Sequence, residues 1–323
     1  MKKVVILFLF AFLISLSLIG CDSLGAKEAP ASDFEYELSS NGENIVITKY
    51  IGSQDNVVIP KEIDGLPVKS LKNAYPDGVA VGVFEGSNIK SVTIPDTVTL
   101  IGSSAFNGCK ELTEVKLPKN LKHISVGAFS DCTSLKSIDL SKTQLIRIEW
   151  FAFKGCTSLT DIKFSSTLTD IWDGAFYGCS AFTDLKLPES LKTIGKSAFS
   201  ECTSLKTVTI PKNVSLSPSL PAFSELPSLE KMIFEEGRAE INGYAFFANT
   251  SNVDIIIPKS VEKFSCNTFI VNDSARFIFH GNCPELIESA TFGNSKPTIL
   301  YDKSASGWDD CEWNGKYTLE PIK

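Results

Sequence analysis

Nine cysteines and two histidines are the side chains of this 323-residue chain best suited to hold a metal or attack a substrate. Five of the cysteines, Cys109, Cys132, Cys156, Cys179 and Cys202, recur every 23 or 24 residues. A thiolate nucleophile needs a base beside it, and a zinc site needs ligands that converge on one point. Even spacing supplies neither. No Cys-x-x-Cys pair occurs, His123 and His280 stand far apart in the chain, and neither G-x-x-x-x-G-K-[ST] nor H-E-x-x-H is present. Serines and carboxylates are plentiful but recur with the same period, without a histidine at a matching place. The chemistry-bearing residues therefore predict a non-enzymatic protein without metal or cofactor. If units stack, neighbouring thiols lie about 5 Å apart, within disulfide reach. Five equivalent thiols cannot all pair, so this column reads as small buried hydrophobes.

The same period governs phenylalanine, at positions 84, 106, 129, 153, 176, 199, 223, 246, 269 and 292. A strict period over most of a chain marks a solenoid, in which each unit buries its apolar face only against its neighbours. Within a unit, Leu112, Val115 and Leu117 give the spacing of a short strand whose alternate side chains turn inward. Pro118 ends that strand because it has no amide to donate. Leu121 and Ile124 return apolar groups to the interior, Gly127 permits a tight corner, and Ala128-Phe129 fills the back of the wedge. The strand recurs as Leu135, Ile138, Leu140, then Leu159, Ile162, Phe164, then Leu185 and Leu187, then Leu205, Val208, Ile210.

The first 20 residues read as a segment outside the fold. Lys2 and Lys3 precede an apolar run from Val4 to Ile19, the pattern of an export signal rather than a spanning helix. Leu18-Ile19-Gly20-Cys21 resembles a bacterial lipobox, which implies lipid on Cys21; an ordinary signal peptide leaves Cys21 a spare thiol. Residues 21–32 then form the lipidated cysteine and a small, polar tether. Loss of residues 1–20 takes the net charge from −7 to −9, a poor balance for nucleic acid.

The pattern C-x-x-L-x-x-[IV]-x-[LI]-P-x-x-[LV]-x-x-I-x-x-x-A-F resembles the BspA-like, or treponemal-type, leucine-rich repeat family. The resemblance covers roughly residues 34–322. It implies a curved sheet of short strands on the concave side, short helical or 3-10 turns on the convex side, and caps at both ends. Residues 33–82 resemble the family's N-terminal cap with a first imperfect repeat, 83–300 hold repeats of about 23 residues, and 301–323 resemble the C-terminal cap. Trp308 and Trp313 belong to that last cap and are expected to pack. Units after Phe223 lose the cysteine, and Asn252 and Ala275 stand near earlier leucine positions, so the C-terminal third is expected to be less regular. Cys283 and Cys311, in the last unit and the cap, could form a disulfide in an exported protein. Cys266 is expected in a turn, free.

Two surfaces are candidates for binding. Outward residues of the strands form a mixed-charge face: Glu114, Asp161 and Asp184 in one column, Lys116, Asp139, Lys163 and Lys186 in the next. The plainer account of it is a solvated sheet whose opposite charges steady neighbouring strands by a few tenths of a kcal/mol. The second candidate is aromatic. Trp150, Phe151, Trp172 and Tyr177 occupy turn positions where other units carry Gly, Ser, Asn or Lys, so exposed rings are expected there. Their alternative role is to cover an adjacent turn. The resemblance implies a lipid-anchored, monomeric envelope protein at the outer surface, binding host matrix proteins, host cells or other bacteria. A periplasm-facing scaffold is the rival, and Asp22 after the lipobox cysteine is compatible with it.

Overall fold

Each unit of about 23 residues makes one turn of a β-solenoid with about 11 turns in all. The computed structural model describes residues 27–73, 80–216, 221–242, 246–247, 252–265, 269–287, 292 and 294–322. The signal segment, Cys21 and Cys266 lie outside the described residues.

Most turns contribute strands to two parallel ladders, and Phe223–Ser224, Phe246–Phe247 and Phe269–Ile270 form a short third one. The first ladder uses the Leu-x-x-Val-x-Leu segment, as in Glu114–Lys116, Ser137–Asp139, Asp161–Lys163 and Asp184–Lys186. Its strands pair in register, Ile138 with Ile162 and Leu185 with Val208. The second ladder uses the Leu-x-x-Ile segment and was not foreseen as a strand. It runs through nine strands from Phe34–Leu38 to Ser215–Leu216, including His123–Ile124, Arg147–Ile148, Asp170–Ile171 and Thr193–Ile194. Its first two strands, Phe34–Leu38 and Ile45–Tyr50, are antiparallel; the rest of the path is parallel.

The core lies between the ladders. Phe84, Phe106, Phe129, Phe153, Phe176, Phe199 and Phe223 are all buried. Their rings form one stack with centroid spacings of 4.9, 5.0, 5.3, 5.3, 5.2 and 5.3 Å, and interplanar angles of 12° or less. Such pairs add about 0.5–1.5 kcal/mol each beyond burial. The five ladder cysteines are free and buried beside the stack. Each thiol donates to the carbonyl of the preceding turn's phenylalanine, Cys132 to Phe106, Cys156 to Phe129 and Cys179 to Phe153, all at 3.1 Å. Burial pushes the Cys156 and Cys202 thiols up to about 12 and Cys109 up to about 11. These thiols are the opposite of activated nucleophiles.

Helical turns behind the strands are not present among the described residues, where the one helical segment is the 3-10 turn Ala31–Asp33. Two features exclude them. The residue two before the phenylalanine and the residue two after it both take left-handed φ, as in Gly127 at 60° and Asp131 at 57°. Every second amide bonds to the next turn rather than four residues back along its own, Phe106 N to Ala128 O at 2.7 Å and Phe129 N to Ala152 O at 2.8 Å, while those between close single tight turns, as Ser130 N does to Gly127 O at 3.0 Å. No helix among the described residues is long and apolar enough to cross a membrane.

The C-terminal third departs from the expected irregularity. Its part of the first ladder is the longest unbroken run, seven strands from Asp184–Lys186 to Thr318–Pro321. Met232-Ile233-Phe234, Ile255-Ile256-Ile257 and Phe277-Ile278-Phe279 replace leucines with β-branched and aromatic residues, which favour extended backbone. The run ends on Trp308 and Trp313, both buried, with Trp313 within 5.4 Å of Phe279 and 5.5 Å of Phe264. Cys283 and Cys311 are half-buried free thiols here, donating to Pro284 O at 3.9 Å and Trp308 O at 3.5 Å, and burial, followed by the nearness of Cys311, pushes the Cys283 thiol's pKa up.

Candidate binding groove

The two surfaces singled out in the sequence lie on different ladders. Glu114, Lys116, Asp139, Asp161, Lys163, Asp184 and Lys186 are all exposed on the first ladder. This face tends to pair with itself. Asp139 accepts from the amide and hydroxyl of Ser141 at 2.9 and 2.5 Å, which holds its carboxyl below the usual range, and Lys163 reaches it from the next turn at 4.0 Å. Further along the same ladder Arg276 grips Asp254 at 2.6 and 2.7 Å. Exposed pairs of this kind contribute about 0–1 kcal/mol. The column of Lys116, Asp139, Lys163 and Lys186 continues into Ile233, Ile256, Ile278 and Leu300, an outward apolar stripe in register across four turns. The sequence reading missed it because it gave up the strand spacing after Phe223.

The aromatic residues belong to the second ladder and the corner that follows it. Aligning the Leu-x-x-Ile segments places Lys122, Ile146, Thr169 and Lys192 in one outward column. His123, Arg147, Asp170 and Thr193 form the next, with Arg147 opposite Asp170 and Asp170 opposite Thr193. Along the first of these columns and the turns that lead into it runs a groove of about 940 Å³, lined by Lys122, His123, Ile146, Arg147, Glu149 and Lys192 among others. At its rim the Trp150 and Trp172 rings meet at 4.6 Å, and the Arg147 guanidinium lies over Trp172 at 4.3 Å. An arginine laid on a tryptophan face gains about 0.5–2 kcal/mol, so Arg147 is held in place before any partner arrives. Ile146 is 57% exposed, and Trp150 and Phe151 are each 45% exposed. These three large apolar side chains fall within six residues of one turn.

Phe151 is the least expected of them. Its φ is 57°, at a position held elsewhere by Gly127, Gly174, Ser104 and Ser197. Left-handed backbone costs an L-residue with a bulky side chain roughly 1–2 kcal/mol. The ladder imposes it, since Phe151 N donates to Asp173 O at 3.1 Å and Gly127 N to Trp150 O at 2.9 Å. The ring rests on Gly174, where a β-carbon would collide with it, and Lys154 lies 5.9 Å from its centre. The ring thus covers an adjacent turn and remains half exposed. Tyr177 is not part of this cluster: its hydroxyl donates to Glu201 one turn on, and that carboxylate raises the phenol's pKa.

Sequence reasoning missed Ile146, Arg147, Lys122 and Lys192. The available signal was the register of Leu121, Leu145, Leu168 and Leu191, which lines up the residues that follow them. No cluster of three or more His, Cys, Asp or Glu fit to hold a metal occurs among the described residues.

A family model described as the BspA type leucine rich repeat region matches in six copies over residues 79–181 and 169–298. Among solved structures, a leucine-rich repeat protein from Bacteroides ovatus is 23% identical, with 85% of this chain and 71% of that chain covered and a TM-score of 0.57. The T. pallidum leucine rich repeat protein is 30% identical over 64% of this chain and 86% of that one, at a TM-score of 0.42. A leucine rich cell surface protein from Faecalibacterium prausnitzii is 20% identical over 93% and 95% of the two chains, at 0.43. No curated protein matches the chain.

Proposed function

We propose that this chain, which belongs to the BspA-type leucine-rich repeat family, is a protein-binding module of the bacterial cell envelope that recognises its partner at the groove of the second ladder. Repeat solenoids of this kind serve as interaction scaffolds rather than catalysts, and the buried, high-pKa thiols agree with that. The observation that carries the site is the concentration of Ile146, Trp150 and Phe151 on one turn, exposed beside an arginine already stacked on Trp172. Exposed aromatics and arginine are the residues that most often anchor protein interfaces. The charged face of the first ladder is the weaker site, because it presents no exposed aromatic anchor and Lys163 is already set against Asp139.

The export signal and the lipobox-like Cys21 support attachment of the mature chain to a membrane through lipid, with residues 22–32 as the tether. Display on the outer surface, as an adhesin for host matrix proteins, host cells or other bacteria, is the first reading. A periplasm-facing scaffold is the second, favoured by Asp22. Protease treatment of intact cells separates them: loss of the protein marks surface display, and full protection marks the periplasm.

Capture of matrix proteins and envelope extract on residues 22–323 tests the site. Trp150→Ala with Trp172→Ala is expected to cost about 2 kcal/mol or more of binding, roughly thirtyfold in affinity. Lys163→Glu with Lys186→Glu is expected to leave capture within about threefold. Unchanged capture by the tryptophan variant removes the groove from the argument.

In an oxidising envelope compartment Cys283 and Cys311 pass two electrons and two protons to a thiol oxidase and join the cap to the last repeat. Intact mass and thiol labelling after unfolding check this: with Cys21 left out of the count, the exported protein should show two fewer reactive thiols than the same chain made in a reducing cytoplasm. Equal counts refute the bond.

A further inference from the structure

The lysines of the groove differ from those of the charged face. On the charged face Lys163 has Asp139 at 4.0 Å and Lys116 and Lys186 make no ion pair; Lys122 and Lys192 make none either among the described residues, and what sets them apart is the exposed Ile146 between them. Both line the groove, in the same outward column, three turns apart. Adjacent turns of a parallel ladder are about 4.8 Å apart, which puts the two lysines roughly 14 Å from one another along the column. Ile146 and Thr169 stand between them. Arg147 adds a third cation, set against Glu149 at 4.0 Å. Asp170 has its oxygens taken by the hydroxyls of Thr169 and Thr193. In a chain of net charge −7 this is a place where unpaired positive charge meets exposed apolar surface.

We infer that the groove takes an extended acidic peptide segment, with carboxylates at positions i and i+4 on Lys122 and Lys192 and an apolar side chain at i+2 over Ile146. The inference rests on the groove being the binding site and goes further by naming what fills it. An extended chain rises about 3.3–3.4 Å per residue and turns alternate side chains to the same face. Positions i and i+4 therefore lie about 13–14 Å apart with i+2 midway, the spacing of the two lysines with an apolar residue between them. The segment crosses the strands rather than adding one at an edge. Its backbone passes the exposed Ser166; the hydroxyls of Thr167 and Ser190 already donate to Leu145 O and Leu168 O, each at 2.7 Å, and offer the segment an acceptor only. Charge complementarity of this kind sets specificity and association rate more than raw affinity.

The probe is an acetylated, amidated heptapeptide of sequence GDSFSDG, titrated into residues 22–323 and followed by tryptophan emission. Trp308 and Trp313 are 3% and 0% exposed, so a response reports on Trp150 and Trp172. The acidic peptide is expected to bind about tenfold more tightly than GKSFSKG, and the preference should fall severalfold between about 0.05 M and about 0.5 M salt. Lys122→Glu with Lys192→Glu, two surface changes that leave the far-ultraviolet spectrum unaltered, should reverse the preference. Equal affinity for both peptides, a preference for the lysine peptide, or a response to neutral maltoheptaose in place of the peptide overturns the inference. If no peptide responds but protein capture still depends on Trp150, the acidic segment is wrong and the groove stands. If capture is also indifferent to Trp150 and Trp172, both fall.

Discussion

Phe153→Ala is expected to destabilise the protein by about 3–5 kcal/mol. The side chain is fully buried, with Phe129 on one side at 5.3 Å and 1° and Phe176 on the other at 5.3 Å and 2°. Its removal forfeits burial and two stacked contacts at once. It also leaves a cavity that cannot collapse, because the turns above and below are fixed by Phe129 N to Ala152 O and Phe153 N to Ala175 O, each 2.8 Å. Phe151→Gly, two residues away, should change stability by no more than about 1 kcal/mol. There the relief of left-handed strain offsets the loss of a half-exposed ring and the entropy of an added glycine. Urea denaturation of the two variants makes the comparison. A lesion in the middle of a linear stack also weakens the coupling between its halves, so Phe153→Ala should lower the m-value as well as the midpoint. Equal costs at the two positions would contradict a continuous aromatic core.

That pair of phenylalanines also marks how far the sequence could be read. Phe153 belongs to a column repeated along the chain, and repetition at one spacing has no other economical cause than stacking. The first ladder was legible for a similar reason: Leu112, Val115 and Leu117 alternate, and alternation betrays a strand. The second ladder was not, because each of its strands is two residues long in most turns and Leu121-x-x-Ile124 carries no alternating run. The family resemblance implies short helical or 3-10 turns on the convex side, whereas Gly127, Asp131 and their counterparts adopt a left-handed backbone that interrupts any helix. In the C-terminal third the loss of leucine was taken for loss of order. There Ile and Phe build strands of four residues, Lys231–Phe234, Asp254–Ile257 and Arg276–Phe279.

The groove divides along the same line. Trp150, Phe151 and Trp172 stood out because each replaces a small or polar residue at a repeated position, and the structure exposes them in varying degree. Ile146, Lys122 and Lys192 did not stand out, because nothing in one unit distinguishes them. Their relation lies across turns, along a column that is visible only once the Leu-x-x-Ile segments are known to be strands in register. Tyr177 shows the converse. It departs from the repeat as visibly as Trp172, yet its hydroxyl is engaged by Glu201, a residue that only stacking brings beside it.

The cysteine column leads to the second large effect, a collapse of stability at alkaline pH. All five thiols are held protonated by burial, Cys156 and Cys202 with pKa values of about 12, Cys109 of about 11, and Cys132 and Cys179 well above the ordinary 9.0. Below about pH 8 folded and unfolded chains both keep these protons, and the thiols add no pH dependence. Above it the unfolded chain releases protons that the folded chain retains, so stability falls as pH rises, until the folded pKa values are reached. A thiol with a folded pKa of about 12 loses roughly 2 kcal/mol of its favourable contribution by about pH 10.5. Cys156 and Cys202 together make roughly 4 kcal/mol in order of magnitude, and the raised pKa values of the other three act in the same direction, against a whole stability of about 5–15 kcal/mol for an ordinary domain. Urea midpoints under reducing conditions at about pH 7, 8, 9 and 10.5 should be level over the first interval, begin to fall over the second and drop steeply over the third. Cys156→Ala should cost about 1 kcal/mol at neutral pH and remove one thiol's share of the alkaline slope, about 1.4 kcal/mol per pH unit. A level midpoint from pH 9 to 10.5 would mean that these thiols ionise in the folded chain as easily as in water, which a sulfur donating to a buried carbonyl at 3.1 Å cannot do.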